Sequence, residues 1–253
     1  MSLSHTLTPL IIPSLTCFSL CLCLSLSLSA CAGEGSLAVR IYGEPFIEEG
    51  IPAEAMADGW AVDFERFSVE VREVEVSGER LSVGRALDLT PASNGAGVAL
   101  GALTLPDGDH PTASYTLGAL RVEGSALHAE RGEMKRFSWI IEAPTRYESC
   151  ALGASLEAEG GAEMEVTVHA DHLFYDSLVS EEPEVRFGHI AAADANGDGL
   201  VTRAELEGAS VGALDVGSEG AVSDLWGWLE AHARTVGHIN GECHCEARAL
   251  EAR

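Results

Sequence analysis

Positive charge is what this sequence has least of. Fifteen Lys and Arg stand against 40 Asp and Glu, the formal net charge is −25, and Lys135 is the sole lysine. Nucleic-acid binding needs a basic surface that neutralises phosphates, and this composition has none to give. Covalent chemistry through lysine is disfavoured for the same reason. Aromatic residues are also scarce, at 6%, which leaves core filling mainly to Val, Leu, Ala and Ile. A serine nucleophile elbow, a metalloprotease helix motif, a phosphate-binding glycine loop and a cysteine nucleophile with its base are all missing. The chain therefore reads more as a binding or structural protein than as an enzyme, although an active site need not follow a short motif.

Charge of either sign is missing from the first thirty residues, which are rich in Leu, Ser and Cys. Such a stretch is a targeting segment and lies outside the fold. Pro13 and the interspersed serines break the continuous apolar run that a membrane-spanning helix needs. The segment ends in Leu28-Ser29-Ala30-Cys31, which resembles the lipobox of bacterial lipoprotein signal peptides. That resemblance implies cleavage after residue 30 and lipid on Cys31. It also implies a chain held outside the cytoplasm on a membrane; Ala32 points to the outer membrane if the cell is Gram-negative.

Cys17, Cys21 and Cys23 would leave with the signal, so Cys150, Cys243 and Cys245 remain. In an oxidising compartment one disulfide joining Cys150 to either member of the C-terminal pair is expected, with one thiol left over.

From residue 37 to about 168, Val, Leu, Ile and aromatics alternate with charged or small residues between Gly, Pro and Asp punctuation, the pattern of half-buried strands. Strands are predicted over 37–42, 60–76, 83–89, 98–105, 114–122, 135–141, 152–158 and 163–169, with one helical turn near 51–56. In the second strand the inward set Phe67, Val69, Val71 slips to Val74, Val76, which predicts a β-bulge at Arg72-Glu73. Phe137, Trp139 and Ile141 mark the inward face of the sixth. Asp107-Gly108 suits a turn. The fold expected is mainly β: a β-sandwich, Ig-like or jelly-roll-like, over 31–175, followed by a small helical unit over 176–253. Within that unit, Ser180-Glu181-Glu182-Pro183 predicts the start of a helix over 184–193. A second helix is predicted over 219–236, with Leu225, Trp228, Leu229, His232 and Val236 on one face.

Between those helices lies the sharpest chemical pattern in the chain, Asp194-Ala195-Asn196-Gly197-Asp198-Gly199-Leu200-Val201-Thr202-Arg203-Ala204-Glu205. Oxygen-bearing residues at positions 1, 3, 5, 9 and 12, a glycine at 6 and a backbone carbonyl at 7 resemble the EF-hand calcium loop. The resemblance implies one calcium ion. Its ligands would be Asp194, Asn196 and Asp198, the carbonyl of Leu200, Thr202 directly or through water, and both carboxylate oxygens of Glu205. Outside the cytoplasm an affinity on the order of 10⁻⁴ to 10⁻⁶ M would suffice. Sensor EF-hands come in pairs, but the stretch 215–226 places Trp226 where the glutamate should be. A structural calcium site is therefore expected rather than a switch.

A second constellation is His169-Ala170-Asp171-His172 together with His238, Cys243, His244 and Cys245. Imidazole and thiolate suit zinc or copper, so a transition-metal-handling protein is the alternative function. This alternative competes with the disulfide for the same sulfurs, and it needs the C-terminal segment to fold back over the end of the last strand. The expected partners are calcium and, through Cys31, a membrane; the protein or glycan partner is left open.

Overall fold

The structure is a computed structural model that describes residues 33–212, 214–217, 222–243 and 245–251. Cys31, the expected signal segment and His244 lie outside the described residues. The chain is mainly β, with two sheets. In order along the chain come β1 (Glu34–Tyr42), α1 (Glu44–Glu48), β2 (Ala61–Val76), β3 (Glu79–Asp88), β4 (Val98–Pro106), β5 (Gly108–His128), β6 (Glu133–Ile141), β7 (Thr145–Leu156) and β8 (Gly161–Val168). They are followed by α2 (Gly188–Ala191), β9 (Leu200–Val201), α3 (Arg203–Gly208), α4 (Leu225–His232), β10 (Gly237–Ile239) and β11 (Glu246–Ala249). One sheet has the order β10-β8-β1-β4; the other runs β11-β7-β5-β2-β3, with β6 on the far half of β5 and β9 on β6.

The alternation that predicted the strands is the alternation of burial. Leu37, Val39 and Ile41 of β1 and Phe137, Trp139 and Ile141 of β6 are all buried, while their neighbours face out or lie half-covered. In β2 the register slips between Val71 and Glu73 against both β3 and β5, as the shift of apolar phase requires. The slip keeps Val74 and Val76 inside, and each valine so buried stabilises by about 1.5–3 kcal/mol relative to exposure. The turn between β4 and β5 falls at Asp107-Gly108, with Gly108 at φ +125°. Residues 53–55 make the single predicted helical turn.

The helices are shorter than their patterns suggested. The helix expected over 184–193 is reduced to α2, because residues 184–186 pair with 174–176 as extended chain instead. Asp176 N donates to Glu184 O and Arg186 N donates to Phe174 O, while Arg186 Nε holds the Asp176 carboxylate at 3.0 Å. What starts α2 is remote in sequence: Asp58 Oδ2 accepts from Phe187 N at 2.9 Å and from Gly188 N. The helix expected over 219–236 is α4, which begins after Asp224, whose carboxylate accepts from Gly227 N at 2.9 Å. Its predicted inward face is buried, Leu225, Trp228, Leu229 and His232 included. No helix among the described residues is long and apolar enough to cross a membrane.

Residues beyond 175 are woven into the sheets. Strand β9 pairs with β6, β10 with β8 and β11 with β7. Cys150 of β7 is bonded to Cys245, which fastens the chain just before β11 and leaves Cys243 as the free thiol among the described residues.

Candidate metal sites

The calcium-like loop is folded by its own side chains. Asp194 accepts from Gly197 N through Oδ1 (2.9 Å) and from Gly199 N through Oδ2 (3.0 Å). Asn196 Oδ1 accepts from Asp198 N, and Asp198 Oδ1 accepts from Leu200 N, each at 2.8 Å. The backbone is thus wrapped around a row of side-chain oxygens. Gly199 sits at φ +78°, a conformation that favours glycine. At the far end Thr202 and Glu205 form a reciprocal cap that starts α3: Thr202 N and Oγ1 donate to Glu205 Oε2 at 2.9 and 2.8 Å, and Glu205 N donates to Thr202 Oγ1. These bonds engage the Thr202 hydroxyl, which favours the water-mediated contact at that position over the direct one.

One atom in this set is conspicuous. Glu205 Oε1 is buried with no hydrogen-bond partner, and a buried carboxylate oxygen left unpaired is costly. A cation held with the oxygens of Asp194, Asn196 and Asp198 and the Leu200 carbonyl would satisfy it. The donor set is all hard oxygen, which fits calcium.

The loop is braced by the sandwich itself. Arg136 N donates to Gly199 O at 2.8 Å, β9 runs parallel to β6 in the register Arg136↔Leu200 and Phe137↔Val201, and the buried indole Nε1 of Trp139 donates to Val201 O at 2.9 Å. Lys135, on the same strand, places its ammonium 2.8 Å from Asp194 Oδ2, and the Asp194 side chain has no exposed surface. That lysine, followed by the two glycine N–H groups, holds the Asp194 carboxyl below the usual carboxylate range. Hydrogen bonds from Thr202 do the same for Glu205. The support for the loop is thus a strand of the body, β6.

The histidine constellation converges with four of the ligands expected, His169, Asp171, His172 and His238, but without the two cysteines. Strand β10 folds back on β8 with His238 opposite Thr167 and Gly237 opposite Val168. Gly237 allows this approach, since a Cβ there would lie 2.7 Å from the hydroxyl oxygen of Tyr115 and from Cζ of Tyr147. His169, His172 and His238 form a triangle with ring centroids 4.6 to 5.2 Å apart. Coordinating atoms of His169, Asp171 and His172 lie within 4.8 Å of one another, and so do those of His169, His238 and Glu242. Cys245 is removed from this set as a thiolate by its disulfide, and the free thiol of Cys243 belongs to neither group. Glu44 and Glu242 were not expected here from sequence. Glu44 Oε2 lies 3.2 Å and Glu242 Oε1 3.9 Å from His169 Nδ1. No pattern near residue 44 points to histidines 125 positions away; only the fold joins them.

No family model, curated protein or solved structure matches this chain.

Within the cluster, His172 Nδ1 lies 2.8 Å from Thr235 O. A carbonyl can only accept, so Nδ1 carries the proton and the lone pair is on Nε2. His172 is pushed down to about 3 by burial and then by the neighbouring His169 and His238. It is therefore neutral at ordinary pH. Burial raises Glu44 against the opposing pull of His169, and burial followed by Asp171 raises Tyr175, whose hydroxyl donates to Asp171 Oδ2 at 3.0 Å. His172, His238 and Glu242 line a cleft of about 610 Å³ whose other walls include Tyr175, Leu178 and His232.

Proposed function

We propose that the protein is an extracytoplasmic, calcium-binding lipoprotein whose calcium is structural: the ion orders residues 194–205 and fastens them to β6 of a β-sandwich that serves a binding or surface role. The observation that carries this reading is the seam between loop and sheet. Arg136 N to Gly199 O and Trp139 Nε1 to Val201 O tie the loop's carbonyls to one strand, so an ion held by the loop would stabilise the body as well as the loop. The buried, unpaired Glu205 Oε1 supports a cation there. Lipid on Cys31 and residence at the outer membrane belong to the same proposal, and the Cys150–Cys245 disulfide suits an oxidising compartment outside the cytoplasm.

Calcium would be held by side-chain oxygens of Asp194, Asn196, Asp198 and Glu205 and by the Leu200 carbonyl, supplying charge neutralisation and a fixed loop shape. Because the folded loop binds and the unfolded chain does not, calcium at a hundred times its dissociation constant adds about 2.7 kcal/mol. For a domain of this size that is a rise in melting temperature of about 5–10 °C. EDTA is expected to lower the melting temperature by that amount, calcium to restore it, and equal magnesium not to. A melting curve indifferent to EDTA would refute the reading.

A further inference from the structure

The histidine triangle is a second, independent ion site in the making. Three imidazoles meet from two pieces of chain: His169 just past β8 and His172 in the 3-10 turn Asp171–Phe174 that follows, and His238 on β10. We propose that His169, His172, His238 and the Glu242 carboxylate bind one divalent transition metal, zinc(II) or copper(II), at the end of the 610 Å³ cleft.

Four observations carry this. First, the coordinating atoms of His169, His238 and Glu242 lie within 4.8 Å of one another, those of His169, Asp171 and His172 do likewise, and the His172 and His238 ring centroids are 5.2 Å apart. Ligand atoms on a tetrahedral zinc are about 3.3 Å apart at bond lengths near 2.0–2.1 Å, so closing on an ion takes side-chain shifts on the order of 1 Å. Second, His169 is 4% exposed and turns Nδ1 toward Glu242 Oε1 at 3.9 Å and Glu44 Oε2 at 3.2 Å, so Nδ1 is the nitrogen placed to share an ion with the Glu242 carboxylate. Third, Thr235 O fixes the His172 tautomer that leaves Nε2 as a donor to metal, the outer-shell arrangement that ligating histidines use. Fourth, Glu44 and Asp171 ring the triangle with carboxylates, which offset the charge of a bound dication.

Three imidazoles and one carboxylate suit zinc and copper, whereas calcium and magnesium prefer all-oxygen shells. His172, His238 and Glu242 also form part of the cleft wall, so a metal position not taken by protein faces the cleft and is open to a small ligand.

The test uses the full chain, freed of metal with chelator and kept in millimolar calcium so that residues 194–205 do not compete. Zinc chloride and copper sulfate are titrated separately by calorimetry, and the copper(II) form is examined by electron paramagnetic resonance. The expected result is one equivalent bound with a dissociation constant of about 1 μM or tighter, and nitrogen hyperfine structure from imidazole in the copper spectrum. His172→Gln and His238→Gln should each weaken binding at least tenfold, and Glu242→Gln, at a side chain 79% exposed and so unneeded for folding, should weaken it several-fold. His110→Gln, altering a histidine that bonds Ser77 outside the cluster, should leave it unchanged. Absence of binding by the unaltered chain, or binding that His172→Gln and Glu242→Gln leave untouched, would overturn the proposal. Since calcium is present throughout, that failure would leave the calcium reading standing.

Discussion

The loop over 194–205 and the histidine triangle are two candidate ion sites built in opposite ways. The loop is twelve consecutive residues whose side chains fold their own backbone, leaning on β6 through hydrogen bonds from Lys135, Arg136 and Trp139. The triangle has almost no local logic: His169 and His172 are neighbours, but His238 and Glu242 arrive by way of β10, and Glu44 by way of the turn after β1. A contiguous site depends on its ion and on one seam. A dispersed site depends on everything that holds the C-terminal segment in place.

That difference can be broken open by perturbing each support in turn. The largest effect is expected from the disulfide. Cys150 and Cys245 are 95 residues apart in sequence, and Cys245 lines a small cleft with His172 and His238. Cys245→Ser is expected to cost about 2–5 kcal/mol of unfolding free energy while leaving calcium affinity within twofold of the unaltered chain, measured by denaturant midpoint and calcium titration. Equal loss of calcium binding would mean that the two sites are not independently supported.

Acid comes next. His232 and His189 are pushed down to about 3 and about 4, chiefly by burial, from an ordinary value of 6.5. Between those values the unfolded chain binds protons that the folded chain refuses, so stability is complete above about pH 6.5 and falls as pH drops toward 4. The slope is on the order of 1 kcal/mol per pH unit per histidine. Urea midpoints at pH 7 and pH 5 should show the loss, and His232→Leu should flatten the profile.

A smaller effect, confined to the other site, is expected from Trp139→Phe. It leaves the Val201 carbonyl without its donor at a cost of about 1–3 kcal/mol, together with weaker calcium binding and no change at the histidines. Calorimetric titration with calcium compares the two chains; unchanged affinity would show that the seam does not serve the loop.

The same contrast governs what was legible in the sequence. Phe137, Trp139 and Ile141 announced their inward face, and the slip at Arg72-Glu73 announced its bulge, because strand alternation is a local signal. The calcium-like pattern was legible for the same reason, down to the glycine at 199. What the local pattern missed is long-range. The extended pairing of 184–186 with 174–176 outweighed a helical start at Ser180, and the cap of α2 comes from Asp58. The fold-back that assembles the triangle was foreseen only as a condition. Cys245 was drawn away to Cys150, and Glu44 and Glu242 took up places that no spacing could reveal. The stretch 215–226 offers no partner loop, and the support for residues 194–205 comes from β6, which is remote in sequence.

Whether calcium fastens residues 194–205 to that strand is read out by amide hydrogen exchange with and without the ion. Calcium is expected to slow exchange at Arg136 and through 199–206, with little change in β10. Equal exchange of these amides in calcium and in EDTA would contradict it.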